Sequence, residues 1–328
     1  MSFAGDTRQE LARINPEKKC CMLAEISGFI RVSGNLRLVG GGKFKLLVTT
    51  DTPAVARHFK TMMQEYFSID IGLEVAKSST FKRGNSYVLS VGPEERSEEI
   101  LRETGILLIR EGMNYISDGI YHNLIKTKCC KKAYLRGLFL GAGNITNPER
   151  DYHLEIVCAT EILAEDVKKL LNSFRDIYSK KFMRKKEHVV YIKESEQIYD
   201  ILALMGASNQ LFKYEEVRIR KEIRNKANRI NNCDQANIDK TVAAAERHIE
   251  AIKLLDAKIG LESLPEKMQE TAKLRLANPS LSLVELGELM EPPLKKSGIN
   301  KQLNKLTKLA DKRSEEHTSE LQSPSWIS

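Results

Sequence analysis

No stretch of this chain approaches the ~18 consecutive apolar residues that a membrane-spanning helix needs, so a helical membrane protein is excluded at the outset. The opening segment, Met1 to Leu11, is polar and mixed in charge, which excludes a signal peptide. The expected location is therefore the cytoplasm, where thiols stay reduced. No pair among the six cysteines has the Cys-x-x-Cys spacing that marks most structural zinc sites. No strongly amphipathic basic helix with aromatic anchors is present, so the membrane surface is a poor partner as well. The single tryptophan, Trp326, sits in the last residues and carries no argument.

Positive charge is what the chain has in excess. At 328 residues it has room for two domains, and its formal charge is +8. The excess is clustered. Lys126, Lys128, Lys131, Lys132 and Arg136 form an acid-free run, and Lys180, Lys181, Arg184, Lys185 and Lys186 form another. A third comprises Arg218, Arg220, Lys221, Arg224, Lys226 and Arg229, and a fourth Lys295, Lys296, Lys301, Lys305, Lys308 and Lys312. A single basic run usually reads as a solvated face. Four of them point to a polyanion partner, double-stranded DNA before others.

An internal repeat organises the first two thirds. Cys20-Cys21 precedes the segment from Ile26 to Asn35, and Cys129-Cys130 precedes that from Leu135 to Asn144. Both segments place glycine early, bulky apolar groups centrally and Gly-Asn at the end. A strand-like stretch follows each (Phe44 to Thr49; His153 to Cys158). A helical pattern comes next in each half, with Val55, Phe59, Met62, Met63 and Tyr66 tracing one buried face in the first and Val167, Leu170, Leu171 and Phe174 one in the second. β-rich stretches around Tyr87 to Leu89 and Val189 to Ile192, each preceded by a basic turn, lead to closing helices that end near Gly105 and Gly206. Two copies of helix-strand-strand-helix-strand-strand-helix predict a pseudo-twofold α+β domain. Gly28 and Gly137 are expected where two such helices approach closely. Gly34 and Gly143 are expected as left-handed caps.

These paired segments resemble the motif helices of the LAGLIDADG homing endonucleases. In that family the eighth motif position of each helix is acidic, and the two acids hold divalent metals for phosphodiester cleavage. Ser33 and Ala142 stand there in this chain, with Arg31 and Leu140 at the sixth positions. The resemblance thus implies the fold with no catalytic residues, and a basic saddle of strands able to lie along a duplex. The rival is a residual nuclease using displaced acids, Glu25 or Asp151. The four paired cysteines, placed at one end of the seam, read as packed reduced thiols rather than a zinc site, because adjacent cysteines chelate poorly. No metal or other cofactor is expected.

Beyond Gly206 the chain is basic and rich in asparagine through Asn237, a composition that suits either phosphate contacts or a solvated hinge. Val242, Ala245, Ile249, Ile252, Leu255 and Ile259 then trace one face of a helix ended by Gly260. A helical unit follows. Leu264, Met268, Ala272 and Leu276 step along one helix, and Ser282 to Glu285 is a capping box opening a second. Ser297 is placed to cap a third, whose inner face is Ile299, Leu303, Leu306 and Ala310. Asn300, Lys301, Gln302, Asn304, Lys305 and Lys308 then face outward, the pattern of a helix-turn-helix with amides for base edges and lysines for phosphates.

The order of parts resembles the WhiA family from Met1 to about Lys312. The resemblance rests on Met1-Ser2-Phe3-Ala4, the two Cys-Cys pairs, Tyr134 to Leu140, Tyr152 to Glu155, Asn228-Arg229, Asn232-Cys233 and Lys296 to Asn300. It implies a bacterial, nucleoid-associated transcription regulator tied to sporulation or to cell division and chromosome segregation. The family pattern usually continues His-Arg after the asparagine matched by Asn300. Here Lys301-Gln302 follow, so the groove-reading role carries over and the target preference does not. The expected domains are a LAGLIDADG-like domain over 1–212 (repeats about 20–110 and 129–212), a basic linker and helix over 213–259, and the helix-turn-helix over 260–312. Residues 313–328 read as a non-native or disordered tail. The DNA-binding residues are expected to be Ser297, Asn300, Lys301, Gln302, Asn304, Lys305 and Lys308, with Arg218, Arg220, Arg224 and Arg229 from the linker. An adaptor whose N-terminal domain binds a protein partner is the further alternative.

Overall fold

In the first repeat, a short opening helix α1 (Phe3–Leu11) is followed by α2 (Lys19–Ser33), β1 (Gly34–Val39), β2 (Lys43–Thr50), α3 (Pro53–Phe67), β3 (Gly72–Lys77), β4 (Asn85–Val91) and α4 (Ser97–Glu103). The hairpin β5 (Leu107–Arg110) and β6 (Met113–Ile116) separates the repeats. The second runs α5 (Lys128–Ala142), β7 (Gly143–Ile145), β8 (Leu154–Cys158), α6 (Glu161–Asn172), β9 (Lys180–Arg184), β10 (Glu187–Ile192) and α7 (Ser195–Met205). Then come α8 (Ser208–Ile259), α9 (Glu266–Ala277), α10 (Leu283–Glu288) and α11 (Lys296–Glu320). This computed structural model describes residues 2–77 and 85–320, with the side chains of 315–320 excepted. The basic turn expected before Tyr87 falls at 78–84, outside the described residues.

The chain divides into two compact units, Met1–Glu222 and Ile223–Ser328. Within the first, the repeat is the architecture. One four-stranded antiparallel sheet has the order β1-β2-β4-β3 and the other β7-β8-β10-β9, the same topology twice. Leu46 and Val48 in one sheet, and Ile156 and Val190 in the other, point into a single core together with the central residues of α2 and α5. Strand alternation puts every second residue of each sheet on the opposite face.

Glycine makes the α2–α5 seam possible. A Cβ built on Gly28 would lie 2.4 Å from the Tyr134 carbonyl oxygen, and one on Gly137 would lie 2.2 Å from that of Glu25. Both meet backbone, which no rotamer change relieves. The expected left-handed caps are not found. Gly34 (φ −83, ψ 142) and Gly143 (φ −77, ψ 144) are extended, because each helix passes straight into the first strand of its sheet. Close approach demands glycine there instead, since a Cβ on Gly34 would sit 2.5 Å from the Ile30 carbonyl oxygen.

The segment expected as a linker followed by a helix is one helix, α8. Its final turns belong to the core of the second unit, where Ala251, Ile252 and Leu255 pack with Leu264, Met268, Ala272, Leu286, Ile299, Leu303 and Leu306. A boundary at 260 therefore cuts through this core. α10 opens with the expected capping box. Glu285 N–H donates to Ser282 Oγ at 3.3 Å, and Ser282 N–H donates back to the Glu285 carboxylate at 2.7 Å. α11 extends through Glu320, so the segment 313–320 of the expected tail is helical, and 321–328 lies outside the described residues.

Candidate nucleic-acid interface

At the seam, where a cleaving enzyme would carry its acids, Ser33 spends its hydroxyl on its own helix, donating to the Phe29 carbonyl at 2.5 Å. Ala142 offers a methyl. These positions do not fit the paired divalent metals of a nuclease. Arg31 is tied down as well, its guanidinium donating to the backbone carbonyls of Ser117 and Gly105.

The displaced acids are no better placed. Glu25 is fully buried, and both its carboxylate oxygens are taken. Arg136 donates to one through Nε and Nη2 at 2.8 and 2.6 Å, while His58 Nε2 lies 2.9 Å from the other. Arg136 also donates to the Met205 carbonyl at 3.1 Å. Two charge-assisted hydrogen bonds from Arg136 to one oxygen, with His58 at the other, are what lets the charge sit in a core. Asp151 is exposed and accepts from the Tyr152 N–H at 2.8 Å.

The basic saddle is only partly realised. Arg136, counted in the first basic run, is interior. In the second run, Lys181 pairs with Glu161 and Glu165 at 3.0 and 2.9 Å, and Arg184 with Glu155 at 3.2 Å. The hydrogen bonds from Lys181 lower the pKa of Glu161 and of Glu165 from the ordinary carboxylate value. On the face of the second sheet opposite the core, Tyr191 stacks with His153 and meets Phe182 edge-on, and by register Lys180 and Arg184 share that face, so aromatic and basic groups are mixed there. The first sheet keeps Arg37, Lys43 and Lys45 on one face by register, with Glu74 on that face too.

The arginines expected of the linker separate into two kinds. Arg218 is bound by Glu215 at 2.7 Å and Glu196 at 3.4 Å, and Arg220 by Glu149 and Glu216, each at 3.4 Å. Arg224 and Arg229 are exposed on α8, among residues that are exposed from Glu222 to Ala243.

In the second unit, α11 presents the expected face. Ile299, Leu303, Leu306 and Ala310 are buried, while Asn300, Lys301, Asn304, Lys305 and Lys308 are exposed and Gln302 is half-buried. Ser297 lies within the first turn and does not cap the helix, which begins one residue earlier. Tight passage from α10 into α11 requires Gly287, where a Cβ would come within 2.0 Å of the Leu294 carbonyl oxygen.

Asn300 and Asn304 are not on a featureless surface. With Thr307 they line a groove of about 440 Å³ whose other walls include Lys240, Arg247, Lys296 and Ser282. Among the described residues, none that lines it is acidic. Below lies Arg275, 2 % exposed, its Nη1 donating to the Leu281 carbonyl at 2.8 Å. Its charge adds to the positive field of the groove. Beside it, His248 is buried with Nδ1 unpartnered, and desolvation together with Arg275 and Arg247 pushes its pKa down, which favours neutral imidazole. Lys240 and Arg247 were not singled out as binding residues in the sequence. They come from α8, far in sequence from α11, and only the folding of α8 onto the same core brings them together.

Comparison with known proteins agrees with this division. Residues 19–107 match the WhiA N-terminal LAGLIDADG-like domain, 131–224 the WhiA LAGLIDADG-like domain and 227–310 the WhiA C-terminal HTH domain. The chain is similar to a protein described as "Probable cell division protein WhiA" from Alkaliphilus metalliredigens, at 40% identity over 95% of this chain and 98% of that protein. A relative of the same description from Clostridium perfringens is 43% identical, again over 95% and 98%. Among solved structures, full-length WhiA from Thermatoga maritima superposes with a TM-score of 0.58 at 26% identity, covering 95% of this chain and 99% of that one. No helix of the described residues is long and apolar enough to cross a membrane. With family models matching along both units and relatives this similar over nearly its whole length, the chain belongs to the WhiA family.

Proposed function

We propose that this protein is a non-catalytic, sequence-reading DNA-binding regulator whose C-terminal unit lays α11 in the major groove. The observation that carries the reading is the joint placement of Asn300 and Asn304 on an exposed helix face, lining an acid-free groove with Lys240, Arg247 and Lys296. Amides supply bidentate recognition of adenine edges, and the flanking cations neutralise phosphate. Lys301, Lys305 and Lys308 lie on the adjacent exposed face of α11 and serve the backbone in the same way. Arg224 and Arg229 are free to extend the phosphate contacts along α8. Arg218 and Arg220, held by glutamates, contribute less.

Absence of fitted acids at Ser33 and Ala142, and the sealed state of Glu25, support a LAGLIDADG-like domain that serves as scaffold rather than nuclease. The names of the relatives support a role in cell division, and the family resemblance adds sporulation and chromosome segregation, all exercised at the nucleoid in the cytoplasm. An adaptor role for the N-terminal unit, binding a protein partner, is the second reading, supported by the cluster of Tyr191, His153 and Phe182 on the outer face of the second sheet. The test compares variants on specific and random duplexes over a salt series. Asn300→Ala is expected to lose about 1–3 kcal/mol on the specific site alone. Lys305→Ala is expected to weaken all duplexes alike and to reduce the salt slope by about one phosphate contact. If neither change alters binding, α11 is not the reading helix.

A further inference from the structure

The seam carries a second chemistry at its opposite end. Cys20 and Cys21 lie in the first turn of α2, and Cys129 and Cys130 in the first turn of α5. The two helices begin side by side, so the Sγ atoms of Cys20, Cys21 and Cys130 all lie within 4.8 Å of one another. Cys21 Sγ and Cys130 Sγ are 4.0 Å apart. Cys129 Sγ lies 3.2 Å from Thr127 Oγ1, at the N-cap of α5, beside this group of three but outside it. Adjacent cysteines are ordinarily a poor chelate. Here the two helix starts turn both members of the first pair toward the same point.

We propose that this cluster is a thiolate site for a soft divalent cation of the zinc class, held by Cys20, Cys21 and Cys130, with the exposed neighbouring thiol of Cys129 turning in as the fourth ligand. A tetrahedral Zn–S length of about 2.3 Å sets the sulfur–sulfur separation at about 3.8 Å, close to that of Cys21 and Cys130. A disulfide needs about 2.05 Å, so the same atoms would have to close by roughly 2 Å. Each thiol that binds releases its proton to solvent. Four thiolates around one divalent ion leave a net negative site, and its surroundings compensate. Two helix N-termini point at it, and Lys18, Lys19, Lys128, Lys131 and Lys132 flank it in sequence, exposed or half-buried. Cys20 and Cys129 are exposed while Cys21 and Cys130 are buried, which gives the ion a route from solvent to a half-shielded position. A bound ion would staple the two motif helices at their open end.

The test uses the full chain, reduced and stripped of metal with a chelator, titrated with Zn²⁺ against a chromophoric competitor and separately with Co²⁺. The expected result is uptake of one ion per chain, the thiolate charge-transfer and strong visible bands of tetrahedral cobalt, and a zinc-dependent rise in the melting temperature of the N-terminal unit. Cys20→Ser and Cys130→Ser are expected to lose the cobalt bands. Cys158→Ser, inside β8, and Cys233→Ser, on α8, are expected to keep them. Native reduced chain that takes up no ion overturns the proposal without recourse to any variant. So does a weak, octahedral cobalt spectrum, or a cluster that responds only to oxidant by linking Cys21 to Cys130. The readout involves no DNA, so its failure leaves the DNA-binding reading untouched.

Discussion

Adding one methyl group at the seam tests the architecture most directly. In Gly137→Ala the new Cβ would lie 2.2 Å from the Glu25 carbonyl oxygen and 2.9 Å from the Phe29 nitrogen, against an ordinary contact of 3.4–4 Å. Both neighbours are backbone of the facing helix, so relief requires the helices to part by roughly 1 Å, a gap that forfeits a quarter to a half of each dispersion contact it opens. Phe29, Ile26, Leu138 and Phe139 lose part of their packing together. Overpacking of a core costs about 1–3 kcal/mol, and a backbone-on-backbone clash belongs at the top of that range. Alanine's better helix propensity returns about 1 kcal/mol. The net expectation is a loss of about 2 kcal/mol, or about 4–8 °C in the melting transition of the N-terminal unit. Gly28→Ala, at 2.4 Å from the Tyr134 carbonyl oxygen, should behave alike. Gly298→Ala is the control, because its Cβ would meet Leu294 at an ordinary 3.5 Å, and it should leave stability unchanged or raise it. Calorimetry of the three variants decides. A Gly137→Ala protein that melts with or above the wild type refutes the close seam.

Breaking the buried charge cluster is expected to be costlier still. Arg136→Met leaves the Glu25 carboxylate in the core without its arginine partner, a loss of about 3–5 kcal/mol by urea unfolding, and adding Glu25→Gln should restore part of it. Stability of the C-terminal unit should depend on His248. Its folded pKa lies below the unfolded value of about 6.5, so the unfolded chain binds the extra proton and stability falls as pH drops through about 6.5. Melts of that unit at pH 8 and pH 5.5 should differ, and His248→Gln should reduce the difference; a pH-independent melt would show the imidazole is not buried. For the groove, Lys240→Ala and Arg247→Ala should each lower the salt slope of DNA binding by about 0.9 while keeping base preference, and unchanged slopes would remove α8 from the interface.

How far the sequence could be read depended on whether a residue's partner was local. The repeat was legible because its signals are periodic and lie within each copy: glycine, a bulky apolar centre, then strand. The capping box at Ser282 was legible for the same reason, since its bonds close within one turn. Arg136 was misleading. It reads as one more cation in a basic run, and only Glu25 from the other repeat turns it into an interior residue. Asparagine is a poor helix former, which is why the stretch from Arg224 to Asn237 suited a hinge equally well. Helix nucleation is the costly step and propagation is not, so α8, already formed on both flanks, carries through it. The groove was hidden because Lys240 and Arg247 are remote in sequence from Asn300.

The seam shows why a fold of this type does not need acids at the motif positions to hold together. What holds α2 against α5 is the absence of side chains at Gly28 and Gly137 and the apolar surface on either side. Neither depends on what occupies the eighth motif position. A pair of acids there would in fact weigh against the packing, because like charges at a close seam repel unless a metal neutralises them. Ser33, bonded back to its own helix, and Ala142, with nothing to satisfy, carry no such cost. One acid is kept in the helix, Glu25, and it is the one whose charge Arg136 and His58 can meet from inside the protein. The scaffold can therefore be stable with no ion between the motif positions, and on the proposed function direct reading of bases falls to the exposed amides of α11.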